Sequence, residues 1–200
     1  VVIFLSSSIF RIFFLDLIEF KYDEAYTVFE ITKFYIHPTL MQVGPPQSTG
    51  VFNFPLFNYL MIFLSFVSRE PQFLSFCIAF INSIAIVFFY VYARKYYSNF
   101  TAILASLTLS FSPWNILLSR KIWIPDIILP LLILFFYFLH KLLLDKNNKS
   151  IFPIFIIMAL LIQLHASLVF FVFATILLFI TFKVRINLKS AFFGFCVGLI

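Results

Sequence analysis

Charge is what this chain has least of. Of its 200 residues, 11% are Asp, Glu, Lys or Arg, while 63% are hydrophobic. Soluble domains carry about 25% charged and roughly 45–50% apolar residues, so an ordinary soluble domain is excluded. Paired cysteines are missing too. Cys77 and Cys196 stand alone in apolar runs, with no Cys-x-x-Cys spacing, so there is neither a disulfide framework nor a redox motif to build on. The first apolar run does not read as a cleavable signal peptide, because Arg11 and Asp16 interrupt it and no small-residue cleavage site follows. No internal repeat is evident. An initiator Met is also absent, and the chain opens inside one apolar run and stops inside another, "SAFFGFCVGLI". The expectation is the N-terminal part of a longer protein, with more helices beyond residue 200.

What is present is long apolar runs divided by short charged punctuation. Mean hydropathy is +1.08, and 32 residues are Phe. That pattern predicts an all-α, polytopic transmembrane helical bundle. The net charge of +6 is therefore read as a record of loop orientation, not as a nucleic-acid footprint; no nucleic-acid partner is expected. A span needs about 20 apolar residues. Spans are expected near 1–18, 72–93, 98–114, 126–143, 151–165, 166–182 and 190–200, all within one domain. Gln163, His165 and Ser167 mark the turn between the fifth and sixth.

The stretch 54–67, "FPLFNYLMIFLSFV", is too short to span and reads as interfacial or re-entrant. With it not crossing, Arg94 and Lys95, "KLLLDKNNK" (141–149) and "KVRINLK" (183–189) fall on one side. These loops hold eight of the 14 Lys and Arg, with Asp145 their only acid. The positive-inside rule makes that side cytoplasmic. The loop 19–71 is then non-cytoplasmic, in a plasma or endoplasmic reticulum membrane.

That loop begins "KYDEAYTVFE". Ala25, Val28, Phe29, Thr32, Tyr35 and Ile36 recur at helical spacing and form a mostly apolar stripe, the signature of an amphipathic juxtamembrane helix. In the plainest reading Asp23 is its N-cap and Glu24 a first-turn acid. This topology gathers Asp23 and Glu24 on the same face as Arg120, Lys121 and Asp126 of "SPWNILLSRKIWIPD", and as His165. Two carboxylates from separate loops can hold a hard divalent cation. A carboxylate can take a proton from an attacking hydroxyl, and Arg pairs with phosphate oxygens. Together they suit displacement of a phosphate group at a membrane surface.

"SIFRIFFLDLIEFKYDEAYTVF" resembles the first-loop motif of the C-type (GT-C) membrane glycosyltransferases, in particular the protein O-mannosyltransferase and aminoarabinose transferase branch. "NFPLFNYL" (53–60) resembles that branch's Pro-Pro-Leu-Tyr-Tyr-type motif, with Phe54 in place of the first proline. "SPWNILLSRKIWIPDIILPLL" resembles its Ser-Arg…Asp loop, and "IQLHASL" a later helix that carries His. The resemblance implies sugar transfer from a polyprenyl-phosphate donor to a lipid, glycan or protein acceptor. It implies catalytic roles for Asp23 and Glu24, and substrate binding by Arg120, His165 and Asn53. Asn53 falls where some members carry Lys or His. It also implies a divalent metal cation at Asp23 and Asp126. A transporter or lipid flippase, or a non-catalytic relative, is the competing class, since intramembrane ionisable residues serve those as well.

Overall fold

The computed structural model describes residues 1–13, 15–47 and 50–199. Among them there are ten α-helices and no strand. The chain forms two compact units, Val1–Pro130 and Leu131–Ile200.

In the first unit, α1 (Val2–Ile12), α4 (Pro71–Tyr96) and α5 (Asn99–Phe111) pack together. Local chemistry explains most of their ends. Pro71 starts α4, where its missing N–H costs nothing, and Arg94 and Lys95 close it against the helix dipole. Ser98 caps α5 by accepting the Thr101 N–H at 3.1 Å, a cap worth about 1 kcal/mol. The same helix ends at Phe111 because Ser112 precedes Pro113 and is driven to an extended ψ of 120°. Pro113 then opens the short α6 (Pro113–Leu117).

The expected first span, 1–18, is broken. α1 stops at Ile12, Phe13 is extended with ψ 144°, and Leu15–Leu17 forms a 3-10 turn. No Gly or Pro causes this; two arginines do. Arg11, fully buried, donates Nη1 to Ser7 O at 2.8 Å and Ser110 O at 3.1 Å, and Nη2 to Leu109 O at 3.1 Å. Leu109 and Ser110 lie in the last turn of α5, where carbonyls have no helical donor, so they can offset a buried guanidinium. Arg120 Nη2 in turn holds Phe13 O at 2.8 Å.

α2 (Tyr22–Ile36) and α3 (Leu56–Ser65) form a pair, and α3 lies against α4. The side of α2 that packs inward carries Glu24, Thr27 and Ile31. Its apolar stripe faces out, with Phe29 and Ile36 exposed. Tyr35 joins the pair, its hydroxyl 3.2 Å from Ser65 Oγ and its ring under Arg69. α3 has ten residues, about 15 Å of helix, half of what a bilayer core requires.

α7 (Pro125–Leu143) begins in the first unit and continues into the second. Pro130 lies inside it and has no N–H for the carbonyl of Asp126 four residues earlier. Asn82 of α4 fills the gap, donating Nδ2 to Asp126 O at 2.7 Å.

The second unit holds the rest of α7 with α8 (Ile151–Leu164), α9 (Val169–Thr181) and α10 (Leu188–Leu199). α10 lies directly on α8. A Cβ added to Gly194 would stand 2.5 Å from Phe152 O, and one on Gly198 2.6 Å from Ile156 O. Only glycine permits that approach, as small-residue interfaces between apolar helices do generally.

Of the seven expected spans, α4 and α7 are long and apolar enough to cross a membrane, by length and composition only. α1, α5, α8, α9 and α10 have 11 to 14 residues each, at most about 21 Å of helix.

Candidate functional site

The site is built where the segment after α1, the start of α2 and the loop 118–126 meet. Lys21 is extended (φ −116°, ψ −157°) and begins α2. Its N–H is taken by Glu24 Oε2 at 3.0 Å. The reading of Asp23 as N-cap is thus corrected: Lys21 holds the cap position, the buried Glu24 supplies the capping carboxylate, and Asp23 is the second residue of the helix. Freed from capping, the half-buried Asp23 turns to the second loop. Lys121 sets a positive charge near its carboxyl, and Trp123 lies close enough to favour the ionised form slightly. Burial, then the charge of Glu24, still push the Asp23 carboxyl above its ordinary value; Lys121 and Trp123 oppose them.

Asp126, 1% exposed, closes the second loop on itself. Its Oδ2 accepts the Lys121 N–H at 2.9 Å, while Oδ1 is buried without a hydrogen-bond partner. Arg120 is pinned to Phe13 O, with Asp16 as a nearby charge. Burial lowers its guanidinium from the ordinary value, and Asp16 pulls it back. Lys121 pairs with Glu19, which also pairs with Lys21. Hydrogen bonds from Lys121 and then Lys21 hold the Glu19 carboxyl down to about 2.

Two grooves flank the segment 15–20. One, of about 690 Å³, runs between Leu17, Ile18 and Glu19 on one wall and Pro113, Ile116, Leu117, Arg120 and Lys121 on the other. It is within the size of small-ligand sites, and its mostly apolar lining with a few convergent charges is their usual make-up. The other, of about 450 Å³, takes Asp16, Glu19, Glu24 and Glu70 into its lining.

The structure therefore brings Asp23, Glu24, Arg120 and Asp126 into one region. Asn53 is elsewhere in the first unit and is used by its own loop. Its Nδ2 donates to Pro45 O at 3.1 Å, its Oδ1 accepts from Gln47, and its carbonyl accepts the Gly44 N–H at 2.7 Å. His165 belongs to the second unit. It caps the turn Ala166–Leu168, its Nδ1 accepting the Ser167 N–H at 3.3 Å. Sequence reasoning missed Glu19 and Trp123. Glu19 could have been found from the Glu-x-Lys spacing with Lys21; nothing in the sequence sets Trp123 apart.

The residues present do not fit a hard divalent cation. Among the described residues no three of His, Cys, Asp or Glu are grouped to hold a metal. Asp126 gives one oxygen to the Lys121 N–H and buries the other, and the Lys121 ammonium acts on both aspartates. A hard cation takes oxygen ligands, of which these two aspartates leave few free, and a nearby ammonium opposes its charge.

No protein-family model, curated protein or solved structure matches this chain.

Proposed function

We propose that the chain is part of a membrane glycosyltransferase that moves a sugar from a polyprenyl-phosphate donor to an acceptor hydroxyl at the non-cytoplasmic face. The observation that carries the reading is the half-buried Asp23 within the field of Lys121, a cation that lines an apolar groove together with Arg120.

The chemistry follows from these groups. The acceptor oxygen attacks the anomeric carbon, and the bond from that carbon to the phosphate oxygen breaks. The hydroxyl proton passes to Asp23, which lies within the field of a cation. Such a base contributes roughly 10²–10⁴-fold. The leaving phosphate gathers negative charge, which Arg120 and Lys121 stabilise. Leu17, Ile18, Ile116 and Leu117 offer an apolar wall for the polyprenyl tail. No step is routed through a metal. The basic loops 94–95, 141–149 and 183–189 support a multi-pass topology that leaves this site on the opposite side. The outward apolar stripe of α2 supports its lying on the bilayer surface.

Transfer of labelled sugar from polyprenyl-phosphate donors, in membranes carrying the full-length parent, tests the reading. Asp23→Asn should lower transfer at least about a hundredfold while the protein still folds. Undiminished transfer in Asp23→Asn would remove Asp23 from the mechanism. No transfer by folded wild-type protein across a broad donor panel would favour the transporter class.

A further inference from the structure

The two cations of the second loop already have acids opposite them. Asp16 acts on Arg120 as a nearby charge, and Lys121 pairs directly with Glu19. Both acids come from the segment 15–20, which also forms one wall of the 690 Å³ groove. The partners are unequally placed: the Lys121 side chain is 13% exposed and that of Glu19 40%. The cation is the inner partner and the acid the outer one. An anion arriving through the groove therefore meets Lys121 with Glu19 already upon it. A phosphate oxygen and a carboxylate oxygen accept the same ammonium hydrogens, so both cannot have them fully.

We infer that Glu19 is a built-in placeholder for the ligand's anion: it holds Lys121 until a lipid-linked phosphate takes its position. The inference rests on the lipid-phosphate reading above. Two features make the exchange workable. Glu19 has a second cation, Lys21, whose side chain is 72% exposed, so a displaced carboxylate keeps a partner. The pair is also partly solvated, where ion pairs are weak and easily traded. The exchange would keep Lys121 neutralised on both sides of the binding step, so the apolar groove never holds a bare ammonium.

The consequence has an unusual sign: removing a charged residue from the site should improve binding. The test measures a fluorescent polyprenyl monophosphate on the full-length parent in detergent micelles, with the uncharged polyprenol of equal length as reference. Glu19→Gln should bind the phosphate roughly 1.5- to fivefold tighter than wild type, as loss of a weak competing pair predicts. Lys121→Met should abolish the preference for phosphate, and Glu19→Gln added to it should give no gain, since the two effects share one contact. Lys21→Met should weaken binding by leaving Glu19 with Lys121 alone.

Glu19→Gln binding no tighter, while wild type reads phosphate through Lys121, would overturn the placeholder. So would a gain that persists in Lys121→Met, because that is general repulsion and not exchange. Inorganic phosphate competing as well as the lipid would overturn the lipid-linked occupant. Failure of the underlying reading looks different: no form, wild type included, would prefer polyprenyl phosphate to polyprenol.

Discussion

In the first unit, α1, α4 and α5 meet through polar groups as well as through rings, Phe4 on Phe80 and Phe10 on Phe111. Ser7, Ser83, Ser106 and Ser110 are buried there, Arg11 grips the end of α5, and Asn82 supports the start of α7. In the second unit α10 lies on α8 through Gly194 and Gly198, with Gln163 donating to the Gly198 carbonyl. The acids divide the same way. Asp145 is the one acid of 131–200, so seven of the chain's eight lie in the first unit. Apolar helices can be joined by close packing of small residues or by hydrogen bonds. The second unit takes the first route. The first takes the second route, and a framework of fixed polar contacts is also what can aim Asp23 and Lys121.

Each unit holds one cysteine, Cys77 in α4 and Cys196 in α10, both free and partly buried. Their reactivity with a thiol reagent reports the units separately. The largest effect is expected at the glycine contact. Leu at position 198 must displace Ile156 O and the Ala159 side chain, 2.6 and 2.8 Å from the new Cβ. Overpacking of this kind costs about 3 kcal/mol. Gly198→Leu should speed labelling of Cys196 more than a hundredfold, by the tenfold-per-1.4 kcal/mol rule, with Cys77 little changed. Equal acceleration at both would mean the units do not open independently.

A smaller effect is expected at Asn82. Asn82→Leu leaves the Asp126 carbonyl without the donor that Pro130 also cannot supply. An orphaned buried acceptor costs about 1–3 kcal/mol. The buried Asn82 Oδ1, which has no partner, is lost with it and offsets part of that. A net loss of about 1 kcal/mol should appear as faster labelling of Cys77, with Cys196 unchanged. Restoring the helix donor by Pro130→Ala in the same chain should recover it. Failure of that rescue would show that Asn82 does not substitute for the missing N–H.

The same contrast explains what could be read ahead of the structure. Pro71, Pro113 and Pro125 announce helix starts, and the boundaries of α4 and α7 follow them within a few residues. The outward stripe of α2 is legible because 3.6-residue periodicity is local. The end of α1 is not legible: it depends on Arg11 and Arg120 finding carbonyls about a hundred residues away in sequence. The site divides likewise. The acids and bases of the two loops could be picked out as types. That Glu24 caps through the Lys21 N–H, and not Asp23, is not marked by residue type, because Lys is not among the usual cap residues. Asn53 entered as a substrate-binding residue through the resemblance alone, and its use by Pro45, Gln47 and Gly44 depends on how one loop folds back.

The smallest expected effect is a pH slope, and its sign distinguishes the units once more. Burial, first, and Glu24, second, raise the Asp23 carboxyl above its unfolded value. Between those two values the folded chain binds more protons than the unfolded one. Stability therefore falls as pH rises through that window and is level above it. Transfer must run the other way, since only ionised Asp23 accepts a proton. Beyond the ordinary pH response of a free thiol, rising pH across the window should make Cys77 label slightly faster while sugar transfer increases. Asp23→Asn should flatten the first trend and abolish the second. Cys196 should show neither beyond the ordinary pH response of a free thiol, because its unit carries one acid, Asp145. Stability and transfer rising together in that window would mean the carboxyl that controls transfer is lowered by its surroundings, and the base would have to be sought elsewhere than Asp23.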